Sequence, residues 1–240
     1  MIDVYNADSL IKMQEWIDAG IQVDCIVTDP PYPTTARGTA GNSGGMLQKD
    51  INRAGKVFEH NECHVSSWAP LLFKLLKDSG HAYIMTNHVN LIEYLNVLTA
   101  NGFHFIKSLI WDKQNKIMGR FYMSQFEYIL FFRKGEAVQI NNCGTSDLLT
   151  IPNKKLKATT GNFHDTEKPV RLMEILVENS TKAGELVLDP FVGIGATPLA
   201  CKNLGRKFIG CEIDENYYDI VLKRLNNESL TYSDVGGGLF

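Results

Sequence analysis

The sequence is poor in several features, and each scarcity removes a class of protein. No apolar run reaches the roughly 20 residues of a membrane-spanning helix. The opening "MIDVYNADSL" has neither the basic nor the apolar part of a secretory leader. The five cysteines, at positions 25, 63, 143, 201 and 211, include no CxxC pair and no zinc-ligand spacing. They read as small buried or half-buried residues of a reduced, intracellular protein. The six histidines form no ligand cluster, so no metal is expected. Excess charge is scarce as well: a formal net charge of −3 gives no global pull toward a polyanion. Any nucleic-acid contact must then come from local basic patches. What remains is 240 residues, 44% hydrophobic and 21% charged, without repeats: a soluble, cytoplasmic chain long enough for a sizeable core.

Strands alternate with helices along most of the chain. "IDVYN" alternates like a strand, and Leu10, Met13 and Ile17 give the next segment a helical face closed by Gly20. "VDCIVTD" is nearly continuously apolar, as a strand covered on both faces should be. Residues 34–62, including "GTAGNSGG", are polar and longer than ordinary connections, which predicts a mobile binding loop or lid. Helices are expected over about 65–77 and 90–100, flanking a strand "HAYIM". "FHFIKSLIWDK" and "QFEYILFFRKG" have no helix between them and should pair. Residues 136–163 are polar and irregular; a helix over about 167–182, the strand "GELVLDP", a helix from "GIGATPLACKNLG", the strand "RKFIGCEID" and a last helix follow. The pattern predicts an α/β fold: a mostly parallel sheet, one antiparallel element, and helices on both faces.

Two segments carry chemistry. In "LVLDPFVGIGATPLACKNLGRKFIGCEID" a strand ends at Asp189, and a turn with Gly193 and Gly195 opens a helix. Glu212 ends the next strand, the usual place for an acid that grips ribose hydroxyls. Glycines let a cofactor approach the backbone. A nicotinamide dinucleotide suits this turn poorly, because Asp189 would repel a pyrophosphate. It would suit a cofactor bearing an ammonium and a sulfonium. In "VTDPPYPTT", two prolines make Asp29-Pro30-Pro31-Tyr32 a stiff, extended piece leaving a strand. A strand ending in a turn is the plain alternative.

"TDPPY", "DPFVGIGAT" and "GCEID" together resemble the amino-methyltransferases of DNA, which use S-adenosylmethionine. "YNADSL", "LIWDKQN", "EYILFFRKG" and "HDTEKPVRLMEIL" resemble further segments of that family, so the likeness runs over nearly the whole chain. The order, DPPY before the glycine turn, resembles the β class. Asp165 stands where the family commonly has proline. The resemblance implies a single catalytic domain over 1–240, with a Rossmann-like, seven-stranded sheet whose last strand is antiparallel. It implies S-adenosylmethionine as cofactor and double-stranded DNA as partner. Relatives of this class are often dimers, so a homodimer is an expectation too. The implied reaction is methylation of the exocyclic amine of a flipped-out base. Asp29 points to adenine N6, since cytosine-N4 relatives of this class more often have serine there. Cytosine N4, adenine in RNA, and an inactive DNA-binding module are the alternatives.

The amine's lone pair is delocalised into its ring, so it needs two acceptors to reshape it. Asp29 and the Pro30 carbonyl can supply them, with Pro31 locking the direction and Tyr32 stacking on the base. Asp8 fits the cofactor's adenine side or a helix N-cap. Lys168 fits the cofactor's carboxylate or, with Pro169, an ordinary helix start. Thr197 fits a cap or a cofactor contact, and Phe191 packs over the cofactor or in the core. Trp111 reads as core. DNA contacts are expected from Arg37, Lys49, Arg53 and Lys56 in the first loop, from Lys116 and Arg120 between the paired strands, and from Lys154, Lys155 and Lys157 in a small target-recognition insert.

Overall fold

β1 (Ile2–Asn6) leads into α1 (Ser9–Asp18) and β2 (Val23–Thr28). The computed structural model describes residues 1–31, 63–117, 121–153, 157–158, 161–162 and 168–228. α2 (Val65–Leu75), β3 (Leu76–Thr86) and α3 (Leu91–Ala100) come next, then β4 (His104–Ile117) and β5 (Ser124–Arg133). Three short strands, β6 (Leu148–Thr150), β7 (Lys157–Ala158) and β8 (Gly161–Asn162), precede α4 (Val170–Ser180). β9 (Leu186–Asp189), α5 (Ala196–Leu204), β10 (Lys207–Glu212) and α6 (Glu215–Leu225) complete the described chain.

Among the described residues the main sheet runs β1-β10-β9-β2-β3-β5-β4-β6. Only β5 opposes its neighbours, pairing antiparallel with both β3 and β4. The seven strands expected from the sequence are present, but the antiparallel one is not the last: it is β5, between β3 and β4, and three-residue β6 adds an edge by pairing in parallel with Ile110–Asp112. β7 and β8 form a separate two-residue ladder. From the adjacent β9 and β2 the chain builds outward in opposite directions, to β10 on one side and β3 on the other. Such a reversal opens a crevice at the strands' carboxyl ends, where α/β sheets bind ligands.

Two apolar layers hold the helices. One face carries α1, α2 and α3 through Met13, Trp16, Trp68, Leu72, Tyr94 and Leu98. The other carries α4, α5 and α6 through Leu172, Leu176, Ala200 and Val221. β2 is covered by both, and its Val23, Cys25, Ile26, Val27 and Thr28 are all buried. α1 ends as its glycine suggested. Gly20 takes a left-handed φ of 71°, and the Ile21 amide reaches back 2.9 Å to the Trp16 carbonyl.

Candidate active site

The glycine turn is built around a buried acid. Asp189 ends β9 with 3% of its surface exposed, and its Oδ1 accepts the Thr28 hydroxyl at 2.7 Å and the Phe191 amide at 3.1 Å. Its Oδ2 accepts the Thr197 hydroxyl at 2.6 Å. Asp189 therefore ties β2, the turn and α5 together. Burial pushes its carboxyl up to about 6, against the pull of the Thr197, Thr28 and Phe191 donors. Thr197 serves Asp189 and is itself buried.

The turn then crosses β10. A Cβ on Gly210 would lie 2.4 Å from the Asp189 carbonyl oxygen and 2.6 Å from Val192 Cγ2, so only glycine lets the turn lie this close. Gly193 and Gly195 hold left-handed φ values of 56° and 91°. A Cβ on Gly195 would crowd Val221, whereas one on Gly193 would meet nothing within 4 Å. Gly193 thus faces open space. At its rim Glu212 Oε2 accepts the Gly193 amide at 2.8 Å, and Oε1 accepts the Asp214 amide at 2.9 Å. Burial raises the Glu212 carboxyl to about 7. Asn6, to which the sequence reading gave no role, donates its side-chain amide to the Glu212 and Ile213 carbonyls. That clamp brings Asp8 to the same sheet edge. Asp8 Oδ1 caps α1 through the Leu10 and Ile11 amides at 2.8 and 3.1 Å, the N-cap reading of the two that were open. Phe191 is half-buried and meets Trp68 edge to face at 6.1 Å.

Asp29 follows β2, one residue from the Thr28 that binds Asp189. Pro30 is buried and Pro31 half-buried. A quarter of the Asp29 side chain is exposed, but its Oδ1 is covered and has no hydrogen-bond partner among the described residues, while Oδ2 accepts from Lys168. Lys168, expected beside a cofactor carboxylate, has its ammonium on Asp29 and 3.5 Å from Glu127 Oε2. Lys113 binds the other Glu127 oxygen. Burial raises the Asp29 carboxyl; Lys168 opposes that rise and Glu127 adds to it. Burial also pushes Glu127 up, but the Lys168 and Lys113 ammonium groups outweigh it and hold that carboxyl below its usual range. Of five buried side-chain polar atoms without a partner among the described residues, three belong to Asp29, Thr86 and Glu127, at the mouths of neighbouring β2, β3 and β5. Buried polar atoms without a hydrogen bond at neighbouring strand ends mark a candidate ligand position.

Glu127 and Lys113 escaped the sequence reading, although the strand pattern held a signal. Glu127 shares its face with buried Ile129 and Phe131, and its register partner Trp111 shares one with Lys113. A charge on the inner face of a strand calls for a partner. Trp111 is core, as expected: it is 1% exposed and donates its indole N–H to the Ile151 carbonyl at 2.9 Å.

Of the expected DNA-contacting residues, Lys116 lies exposed near the end of β4. Lys157 falls in β7, where the backbone alone is described. Tyr32, Arg37, Lys49, Arg53, Lys56, Arg120, Lys154 and Lys155 lie outside the described residues, as does all of 34–62. Among the described residues no cluster of three His, Cys, Asp or Glu side chains could hold a metal ion. No helix there is long and apolar enough to cross a membrane.

Comparison with known proteins agrees with this geometry. A family model described as DNA methylase (N6_N4_Mtase) matches residues 23–223. Type II methyltransferase M2.DpnII of Streptococcus pneumoniae is 30% identical over 87% of this chain and 84% of its own. Type II methyltransferase M2.LlaDCHI of Lactococcus lactis subsp. cremoris is 30% identical over 85% and 82%. The crystal structure of the M1.HpyAVI–SAM complex superposes with a TM-score of 0.69 at 27% identity, covering 93% of this chain and 100% of that one. The match over residues 23–223, on a chain that sets a half-buried acid and two prolines beside a glycine turn at the sheet's switch point, places the chain in the N6/N4 DNA methylase family.

Proposed function

We propose that this chain is an S-adenosylmethionine-dependent enzyme that methylates the exocyclic N6 amine of an adenine swung out of double-stranded DNA. The observation that carries the reading is Asp29: one oxygen is tethered by Lys168, and the other is buried, unpaired and next to the glycine turn. The open space over Gly193, with Glu212 at its rim, fits the nucleoside of that cofactor. Gly193, Gly195 and Glu212 would hold it, with Asp8, Phe191, Asp189, Thr197 and Lys168 around them. When bound, S-adenosylmethionine supplies a methyl group on positively charged sulfur.

The protein's share is to make a poor nucleophile attack. Asp29 Oδ1 accepts one N–H of the amine, and the Pro30 carbonyl accepts the other. Two acceptors fixed in advance pull the nitrogen toward tetrahedral geometry and aim its lone pair. Pro30 and Pro31 hold that direction at little ordering cost. Tyr32 stacks on the extruded base, worth roughly 1–3 kcal/mol in nucleic-acid sites. Arg37, Lys49, Arg53, Lys56, Lys116, Arg120, Lys154, Lys155 and Lys157 serve the DNA backbone within one catalytic domain. A cytoplasmic enzyme without a metal agrees with this chemistry. A homodimer is supported by a row of side chains, Leu148, Ile110 and Tyr128, with Phe126 beside it, that registers on one face of the sheet edge. Leu148 and Phe126 are about half exposed, at 52% and 47%.

The test is incubation with isotope-labelled S-adenosylmethionine and mixed-sequence duplex DNA, followed by mass spectrometry of the nucleosides. Labelled N6-methyladenine is expected. Labelled N4-methylcytosine would keep the mechanism and change the base, a second reading that the N6/N4 family leaves open. Unlabelled DNA would overturn the assignment.

A further inference from the structure

Four charged side chains of alternating sign run in a line through the site: Asp29, Lys168, Glu127 and Lys113. They come from four places in the chain: the exit of β2, the entry to α4, β5 and β4. None has more than a quarter of its side chain exposed, and Lys168 shows 7%. The Trp111 ring lies beneath both cations, with Lys113 Nζ 5.3 Å and Lys168 Nζ 6.0 Å from its centroid. Among the described residues two oxygens of the line, Asp29 Oδ1 and Glu127 Oε2, are buried without a hydrogen bond, the second lying 3.5 Å from the Lys168 ammonium.

We propose that Glu127 is a positioning residue that acts on Asp29 through Lys168: it keeps the ammonium in place while Asp29 is ionised, and receives it when Asp29 takes up the proton shed by the methylated amine. The inference rests on the role given to Asp29 above. When the amine nitrogen bonds to the methyl carbon, the S–C electron pair stays with sulfur and nitrogen carries one proton too many. Asp29 Oδ1 takes that proton; the N–H pair returns to nitrogen, and an O–H bond forms. Lys168 then faces a neutral acid. Glu127 Oε2, 3.5 Å away and without a hydrogen bond, is where the ammonium settles. Lys113 keeps Glu127 ionised, so the proton stays on Asp29 instead of moving along the line. A buried lysine with one carboxylate would be left uncompensated at that moment; a lysine with two is not. Both oxygens thereby acquire a use, one for the amine and one for the displaced ammonium. Among the described residues, the charged groups that bear on Asp29 are Lys168, Glu127, Lys113 and, from the end of β9, Asp189.

The test uses two variants that push in opposite directions. Carbon-13 NMR follows the Asp29 carboxyl through a pH titration of the protein alone, in wild type, Glu127→Gln and Lys113→Gln, with Asp29→Asn to assign the signal. Single-turnover methylation is measured over the same pH range, and the spectra report whether each variant is folded. Glu127→Gln should lower the Asp29 midpoint, and Lys113→Gln should raise it, each by about one pH unit. The acidic limb of the methylation profile should follow in each case, with a lower plateau rate for Glu127→Gln. Midpoints that stay put, or move the same way, while Asp29→Ala is inactive overturn this inference alone. Methylation that survives Asp29→Ala overturns the role of Asp29 and this inference with it.

Discussion

Two carboxyl groups sit at the ends of adjacent strands, and their surroundings differ in kind. Asp189 is held by three neutral donors, two hydroxyls and an amide, and both its oxygens are engaged. Asp29 is held by an ammonium on one oxygen, and its other oxygen has no hydrogen-bond partner among the described residues. Neutral donors that occupy both oxygens make a joint: they satisfy a buried acid and fix three elements around it. A charged tether on one side makes a tool, because it orients the carboxylate and leaves an acceptor facing the site. On the function proposed above, the difference sorts the glycine-turn half as scaffold for the cofactor and the Asp-Pro-Pro half as the place where bonds change.

The comparison is broken most severely by truncating each acid. Asp29→Ala should cut methyl transfer by at least about 10²–10³-fold, the scale of losing one preorganised polar partner. Binding of S-adenosylhomocysteine, measured by calorimetry, should persist. Asp189→Ala should act chiefly on stability, by about 3 kcal/mol or more, because two hydroxyls and an amide lose their buried acceptor. Equal loss of binding and turnover in Asp29→Ala would erase the distinction.

How much of this could be read from the chain follows from the range of the interactions. The long elements were legible because each carries its own pattern: α1 buries Met13 and Trp16 on one face, and β2 is apolar throughout. The glycine turn was legible because its parts are consecutive. β6 was not, since three residues are too few to show a period, and it exists only as an addition to β4. The Asp29–Lys168 tether was not legible either, because 139 residues separate its ends. Lys168 was singled out, but beside a different group: the motif shows that a lysine is needed and not what it faces. Only the fold brings β2, β4, β5 and the entry to α4 to one point.

A second way to sharpen the comparison is pH. Glu212 has its carboxyl raised from 4.5 to about 7, mainly by burial, so the folded protein holds this proton more tightly than the unfolded chain. The stability it contributes is fully present below about pH 4.5 and is lost as pH rises through about 7. The shift sets a ceiling of about 3 kcal/mol, lowered by the group's partial exposure. Glu212→Gln cannot ionise, so the melting temperature of the ligand-free variant should fall less between pH 4.5 and 7 than that of wild type. Asp189, also raised, is common to both proteins and drops out of the difference. Parallel curves would show that Glu212 ionises in the folded protein as it does in the unfolded chain.

The mildest change addresses the joint itself. Thr197→Val keeps the shape of a fully buried side chain and removes the hydroxyl that donates to Asp189 Oδ2 at 2.6 Å. One oxygen of the acid then lies buried without a donor, at a cost of about 1–2 kcal/mol. For a chain of this size that is roughly 2–8 °C in melting temperature. Thr197→Ser keeps the donor and should lose clearly less. If the hydroxyl serves only the joint, methylation per folded molecule should stay near wild type in both variants. A drop in activity shared by Val and Ser would give the role to the methyl group. A drop confined to Val, with the melting temperature unchanged, would make Thr197 a cofactor contact first and a structural donor second.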